Sequence, residues 1–318
     1  MKEEKGSDNK LFLYKMSTLK IAIVGAGGVG GYLAAKLIQN DYDVTLVAKG
    51  KNFDAIRENG LQVIEYKQNN FTVHPYVVEK LCGETYDVVF IATKSCDFES
   101  ACKSITDAVD KNTLIIPLSD GLGVNSVLKS YLPNCVIGDG LIHMISELIS
   151  PGVVMRKSYT FYLQIGCRVE SVNLKIIGQI LNHCDLRVSS KKSLIYDRWK
   201  KYLFTSSMSM LTAYFNKPMG YVFKDQLGLM LDVLLEIQKV AKARDIDITN
   251  EDIEKTVKQA SHVKYETKTA MQIAFEDNSK SEFDLLVGYV VREASNLNIA
   301  IPQMEKIYNT LKENSFKQ

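Results

Sequence analysis

The stretch KIAIVGAGGVGGYLAAKLIQ, residues 20–39, decides how the rest of the chain is read. Its first five residues are mostly apolar and read as a strand buried on both faces. Residues 32–38 carry helical spacing, with Leu33, Leu37 and the small Ala34 on a common face. Between them lies Gly25-Ala26-Gly27-Gly28-Val29-Gly30, a G-x-G-x-x-G sequence. Glycine is disfavoured inside strands and helices, so a cluster at their junction needs a cause. A phosphate-binding turn supplies one. Gly25 permits the tight turn, Gly27 lets the backbone approach a pyrophosphate, and Gly30 lets the helix pack close to its strand. With Gly28 and Val29 they open a helix whose free N–H groups and dipole favour negative charge. The plainer alternative is a structural turn with no ligand.

Working outward, residues 43–47 form a second strand pattern, followed by Ala48-Lys49-Gly50-Lys51. A carboxylate at the end of this strand would bind the ribose 2′-hydroxyl of NAD. The cation Lys49 suits a 2′-phosphate, so the expected cofactor is NADP(H); the competing reading leaves Lys49 and Lys51 as solvated loop charges. Residues 87–94 and 113–118 are further buried strands. Ligands of open parallel sheets collect at the carboxyl ends of strands, which places Thr93, Lys94 and Asp120 near the nicotinamide. Residues 69–78 and 152–166 suggest additional strands. From about residue 193 long helical periodicities take over, with Pro218 and Pro302 as breakers. The expected fold is therefore α/β. It has a flexible tail (1–17), a Rossmann-type NADP-binding domain (18–190), and an all-helical substrate and catalytic domain (191–318).

Composition narrows the partners. A net charge of +2 across 318 residues gives no basic footprint for nucleic acid. No apolar run approaches the roughly 20 residues that span a membrane. Residues 1–16 lack the apolar core of a signal peptide, and Met16 is an alternative start to Met1. Six cysteines without a CxxC pair read as reduced, buried thiols in a cytoplasmic protein. The four histidines are scattered and suggest no metal site. A monomer and a homodimer remain equally open.

Residues 199–212 read as a mostly buried helix. Steps of three and four from Lys201 reach Thr205, Ser209 and Thr212, a polar stripe on an otherwise apolar helix. The stripe either lines a cleft that takes a small polar substrate or faces water.

Several pieces in order resemble the ketopantoate reductases (2-dehydropantoate 2-reductases): Ala92-Thr93-Lys94, Asp120-Gly121-Leu122-Gly123, Trp199-Lys200-Lys201, Leu211-Thr212-Ala213, and Pro218 with Gly220. The strongest is SEFDLLVGYVVR, residues 281–292, followed by NIAIP at 298–302. The resemblance implies NADPH-dependent reduction of the C2 ketone of a 2-oxo acid, most simply 2-dehydropantoate in pantothenate biosynthesis. It places the catalytic lysine at Lys201, where an ammonium of reference pKa about 10.4 both attracts the forming alkoxide and protonates it. It places the acidic partner at Glu282, to bind the substrate hydroxyl and orient Lys201. Lys94 falls near cofactor and substrate, Lys49 on the 2′-phosphate. Lys200 points about 100° away from Lys201 on a helix, so one lysine alone serves the site.

The departures from the family pattern concern the lining. Asp120 stands where the family has asparagine in a cofactor-side loop. Thr205, Ser209 and Met219 replace asparagines near the substrate, and Ala270 replaces a serine. An Asp120 carboxylate beside an anionic substrate requires pairing with Lys94 or protonation. These changes leave two alternatives: a related reductase of another small carbonyl substrate, or a non-catalytic NADPH-binding redox sensor.

Overall fold

The computed structural model describes residues 18–316; the tail expected at 1–17 lies outside them. The chain folds as two compact units.

The first unit comprises the described residues up to Thr93, together with Asp97–Ser119 and Asn125–Leu194. Its centre is a six-stranded sheet of β1 (Ile21–Val24), β2 (Val44–Val47), β5 (Tyr76–Val78), β6 (Val88–Ile91), β7 (Leu114–Pro117) and β8 (Val136–Ile137). The order is β5-β2-β1-β6-β7-β8, and every pairing is parallel. Strands β1, β2, β6 and β7 are buried at every residue, which is why they appear in sequence as unbroken apolar runs. The strand order reverses beside β1, so the glycine turn leaves the sheet at its switch point.

Two smaller sheets complete the unit. One joins β3 (Leu61–Ile64), β4 (Phe71–Val73), β10 (Ser146–Ser150) and β11 (Val153–Arg156); the other joins β9 (Asp139–His143), β12 (Tyr162–Gly166) and β13 (Val188–Lys191). The span 69–78 thus holds two strands, and each belongs to a different sheet. Helices α1 (Gly28–Gln39), α2 (Gly50–Asn59), α3 (Phe98–Lys103), α4 (Val124–Tyr131) and α5 (Val172–His183) connect them.

Helix α1 packs against β1 and β2 on one side and against β3, β4, β10 and β11 on the other. That double contact explains the density of glycine. A Cβ at Gly30 would lie 2.0 Å from the Gly25 carbonyl oxygen, one at Gly28 2.7 Å from the Ser146 backbone, and one at Gly31 2.9 Å from Val154. Buried polar groups tie the same layers. The Tyr32 hydroxyl donates to Glu65 Oε1 at 3.0 Å, and Arg156 Nη1 donates to that hydroxyl at 2.8 Å. Burial, then the Glu65 charge, holds the Tyr32 phenol in its neutral form far above the usual range.

The second unit is helical: α6 (Ile195–Phe215), α7 (Met219–Asp225), α8 (Leu227–Ala243), α9 (Asn250–Ser261), α10 (Ala270–Glu276), a π-helical turn (Asp284–Gly288), α11 (Tyr289–Asn296) and α12 (Pro302–Phe316). The short segments Lys94–Cys96 and Asp120–Val124 belong to it as well. Helix α6, about 32 Å long at 1.5 Å per residue, is central and is touched by α7, α8, α9, α10, α12 and the π turn. Its buried set includes Trp199, Tyr202, Leu203, Met208, Met210 and Leu211. It stops where Asn216 turns left-handed (φ 49°), Lys217 N–H closes on the Thr212 carbonyl, and Pro218 forbids another turn.

Candidate functional site

In the first unit the glycine turn has the shape its sequence implies. Gly25 sits at φ +103°, and a Cβ there would meet Thr93 Cγ2 at 2.9 Å and the Ala92 carbonyl at 3.0 Å. Gly27 is the N-cap of α1, without a side-chain cap, and a Cβ there would meet nothing within 4 Å. The helix N-terminus is therefore bare and its approach open, as a bound pyrophosphate requires. Val29 is half-buried against the core of this unit. The Thr93 hydroxyl, just beyond β6, is buried and has no hydrogen-bond partner among the described residues. An orphaned hydroxyl beside a bare turn fits a ligand that completes both.

Two neighbours shape this turn. Asn52 donates from Nδ2 to the Ala26 carbonyl at 2.9 Å and accepts at Oδ1 from Gly152 N–H at 2.7 Å, pinning the loop to α2. Lys49 follows β2, is exposed, and donates to Ser100 Oγ at 2.6 Å.

In the second unit, Lys201 on α6 meets the Asp120–Val124 segment. Its Nζ lies 2.6 Å from Asp120 Oδ1, with the two side chains 17% and 29% exposed. The segment is pressed close: a Cβ at Gly121 would lie 2.5 Å from Leu285 Cβ, and buried Arg198 donates from Nη1 to the Gly121 carbonyl at 3.3 Å. Glu282 Oε1 accepts from the Ser95 backbone N–H at 3.1 Å. Lys94 is exposed and donates to the Lys280 carbonyl at 3.4 Å. The expected counter-ion of Asp120 is thus corrected: the carboxylate takes Lys201, and Lys94 points elsewhere. The physical reason is topological, because the Asp120 segment packs with α6 whereas Lys94 is drawn toward residue 280.

Lys200 separates from Lys201 as helical geometry dictates. Its Nζ lies 3.1 Å from Asp252, a carboxylate only 3% exposed. Along the polar stripe, Thr205 Oγ1 returns its proton to the Lys201 carbonyl at 2.6 Å, and Ser209 is buried. Thr212, fully buried, donates to the Met208 carbonyl and shares a 2.7 Å hydrogen bond with Thr269. The stripe does not face water. Met219 opens α7 half-buried, its N–H on the Thr267 carbonyl, and Ala270 is exposed at the first position of α10.

Residues 281–292 do not form one α-helix. The π turn at Asp284–Gly288 interrupts it, and the Leu286 carbonyl is caught by Tyr202 and Ser206 hydroxyls, each at 2.6 Å. Such turns often mark functional segments, and this one begins two residues after Glu282. Ser95, Arg198 and Asn52 are contributors that sequence reasoning missed. Arg198 alone carried a signal, a cation three residues before Lys201 on a helix rich in aromatic residues. Among the described residues no cluster of His, Cys, Asp or Glu could hold a metal, and no helix is long and apolar enough to cross a membrane.

The parallel sheet with its glycine turn is the arrangement of a dinucleotide-binding fold. The chain belongs to the ketopantoate reductase family: residues 21–169 match ketopantoate reductase PanE/ApbA, and residues 193–315 match its C-terminal region. It is 26% identical to the uncharacterized oxidoreductase YkpB of Bacillus subtilis over 302 residues, covering 92% of this chain and 98% of the relative. It is 24% identical to a 2-dehydropantoate 2-reductase of Nostoc sp. over 311 residues, covering 93% and 95%. Among solved structures it resembles 2-dehydropantoate 2-reductase from Methylococcus capsulatus (TM-score 0.83, 20% identity, 94% and 97% covered). It also resembles D-mandelate dehydrogenase in ternary complex with NADH and anilino(oxo)acetate (TM-score 0.82, 19% identity, 94% and 99% covered).

Proposed function

We propose that the protein reduces the ketone of a small 2-oxo acid with NADPH, 2-dehydropantoate being the foremost substrate. The carrying observation is the half-buried Lys201 on α6, paired with Asp120 in the same unit as a backbone-anchored Glu282. In this reading the first unit holds the cofactor. Gly25, Gly27 and Gly30 shape the turn, Gly28 and Val29 present N–H groups to the pyrophosphate, and Lys49 takes the 2′-phosphate. The cofactor supplies a hydride when bound. Lys201 donates the proton that neutralises the alkoxide, and its charge stabilises that oxygen as it forms. Glu282, held by Ser95 N–H, accepts from the substrate hydroxyl. Thr205, Ser209, Met219 and Ala270 stand where the family places substrate-lining side chains. The polar groups among them are engaged within their own helix or buried, which favours a substrate with fewer hydrogen-bonding groups as the second reading. A cytoplasmic setting is part of the proposal, supported by six cysteines none of which forms a disulfide; four are buried as expected, but Cys82 and Cys96 lie in exposed loop and turn segments and are not.

The test is NADPH oxidation with 2-dehydropantoate, followed optically, for wild type and Lys201→Ala. The expected loss on substitution is about 10²–10⁴-fold in kcat, the worth of a positioned general acid. Unchanged turnover in the variant overturns the role of Lys201; absence of turnover in wild type overturns the substrate.

A further inference from the structure

We propose that Asn52 is a positioning residue for the cofactor: it fastens the loop carrying Lys49 to the glycine turn, and so sets the spacing between the pyrophosphate site and the 2′-phosphate site on which a preference for NADPH over NADH depends. This rests on the reading that Lys49 takes the 2′-phosphate.

The glycine turn and the loop after β2 are joined at two consecutive residues. Gly25 N–H donates to the Val47 carbonyl at 2.9 Å, and the Ala26 carbonyl accepts from Asn52 Nδ2 at 2.9 Å. Residues 47–52 are thus held at both ends, with Lys49 between the two fastenings. The first fastening is main chain and continues the pairing of β1 with β2. The second is a single side-chain amide. Little else fixes Lys49 on its helix side. It is the N-cap of α2 without a side-chain cap bond, the left-handed Gly50 (φ 57°) follows it, and its carbonyl accepts from Phe53 N–H at a long 3.4 Å. Its ammonium rests on the neutral Ser100 hydroxyl, a partner weaker than a phosphate.

Asn52 is braced from its other side. Its Oδ1 accepts from Gly152 N–H at 2.7 Å, in the turn between β10 and β11, where a Cβ on Gly152 would meet Ala55 of α2 at 3.3 Å. Both polar ends of the amide are spent on main-chain partners, which suits a brace rather than a ligand contact. The Ala26 bond has a second effect. In a trans peptide the N–H opposes the C=O, so Gly27 N–H, which has no acceptor among the described residues, is held facing away from Asn52. Loss of Asn52 frees that peptide, which matters to any dinucleotide. It also frees the Lys49 loop, which matters only to one carrying a 2′-phosphate.

NADPH and NADH are titrated calorimetrically into the full chain for wild type, Asn52→Ala, Lys49→Ala and the double variant. Asn52→Ala is expected to weaken both cofactors and to lower the NADPH-to-NADH affinity ratio about tenfold, the effect at a surface site of drawing a charge pair from about 4 Å to about 6 Å apart. In the Lys49→Ala background the same substitution is expected to leave the ratio unchanged, because no cation remains to be misplaced. A wild-type ratio in Asn52→Ala overturns the proposal, and so does a fall that persists in full without Lys49. A variant that merely loosens the fold weakens both cofactors alike, leaves the ratio unchanged and counts against the proposal. Should the alanine variant not fold, Asn52→Ser, too short to hold both partners, is read in the same way. Failure of the cofactor reading shows separately, as a wild type that binds neither dinucleotide or a Lys49→Ala variant that keeps the wild-type ratio, and it removes the proposal with it.

Discussion

Asp252 offers a sharp test of the reasoning that leaves Lys201 alone as the proton donor. Its carboxylate sits at the start of α9 in a capping box, accepting from Thr249 N–H at 3.0 Å and Thr249 Oγ1 at 2.9 Å. It also accepts from the Tyr196 hydroxyl at 2.9 Å and pairs with Lys200 on the far face of α6. Burial is the largest single influence and would push the carboxyl up. The Thr249, Tyr196 and Lys200 bonds together outweigh it and bring the carboxyl from 3.8 down to about 2. A carboxyl depressed in the folded state contributes stability above its unfolded value and loses it as pH falls through the folded one. At about 1.36 kcal/mol per unit, the contribution is roughly 2 kcal/mol at pH 7, about 1 at pH 3, and close to zero at pH 1. The assay is urea unfolding of wild type and Asp252→Asn at pH 7 and pH 3. Other carboxylates titrate over this range in both proteins and cancel in the difference. The stability gap should shrink by about 1 kcal/mol between the two pH values. A gap that stays constant or widens on acidification would refute the assignment. Lys200 would then have no firm anchor on Asp252, and its exclusion from the chemistry would lose its physical basis.

The glycine turn divides into two kinds of position. Gly27→Ala places a methyl in open space; it should melt like wild type yet bind NADPH at least about tenfold more weakly in a fluorescence titration, because the methyl crowds the pyrophosphate approach. Gly30→Ala forces a contact at 2.0 Å and should lower thermal stability by several degrees before any cofactor is added, an overpacking cost of about 1–3 kcal/mol. Lys49→Glu should raise the Michaelis constant for NADPH about tenfold or more while leaving that for NADH nearly unchanged, since only the former carries the 2′-phosphate; equal effects on both would remove Lys49 from cofactor selection.

Much of the parallel sheet was legible because it is buried on both faces. Strands β1, β2, β6 and β7 have no solvent side, so they appear as apolar runs that the eye finds without alignment. Of the strands that went unread, β9 is buried at four of its five residues and was missed all the same, while β3, β10 and β13 are of another kind. In β10 every residue is partly or fully exposed, β13 reads VSSK, and β3 alternates only over four residues. Such strands owe their place to pairing with distant partners: β3 lies parallel to β11, some ninety positions away, and no local signal records that. The same sheet explains Gly28 and Gly31. The phosphate argument accounts for the G-x-G-x-x-G residues, but those two are small because β10 and β11 cross α1 directly above them.

The candidate site shows a parallel division between what a helix dictates and what tertiary packing dictates. The divergence of Lys200 and Lys201 follows from 3.6 residues per turn, and the opposed ion pairs with Asp252 and Asp120 realise it. The choice of Lys201 over Lys94 as the partner of Asp120 follows from no local rule. Lys94 and Asp120 end neighbouring strands of one sheet, so sheet topology alone makes them the natural pair. What decides otherwise is that each strand end runs on into the helical unit, one to residue 280 and the other to α6 and the π turn. The π turn is equally silent in sequence, since residues 281–292 keep a helical pattern throughout. It is stabilised from outside, by two hydroxyls of α6 closing on the Leu286 carbonyl and by Arg292 holding Asp284 through two bonds at 2.6 and 3.0 Å. The chemistry proposed for this unit depends on both features. The residues that would perform it were named from sequence, but the pairing of Lys201 with Asp120 is a property of the packing.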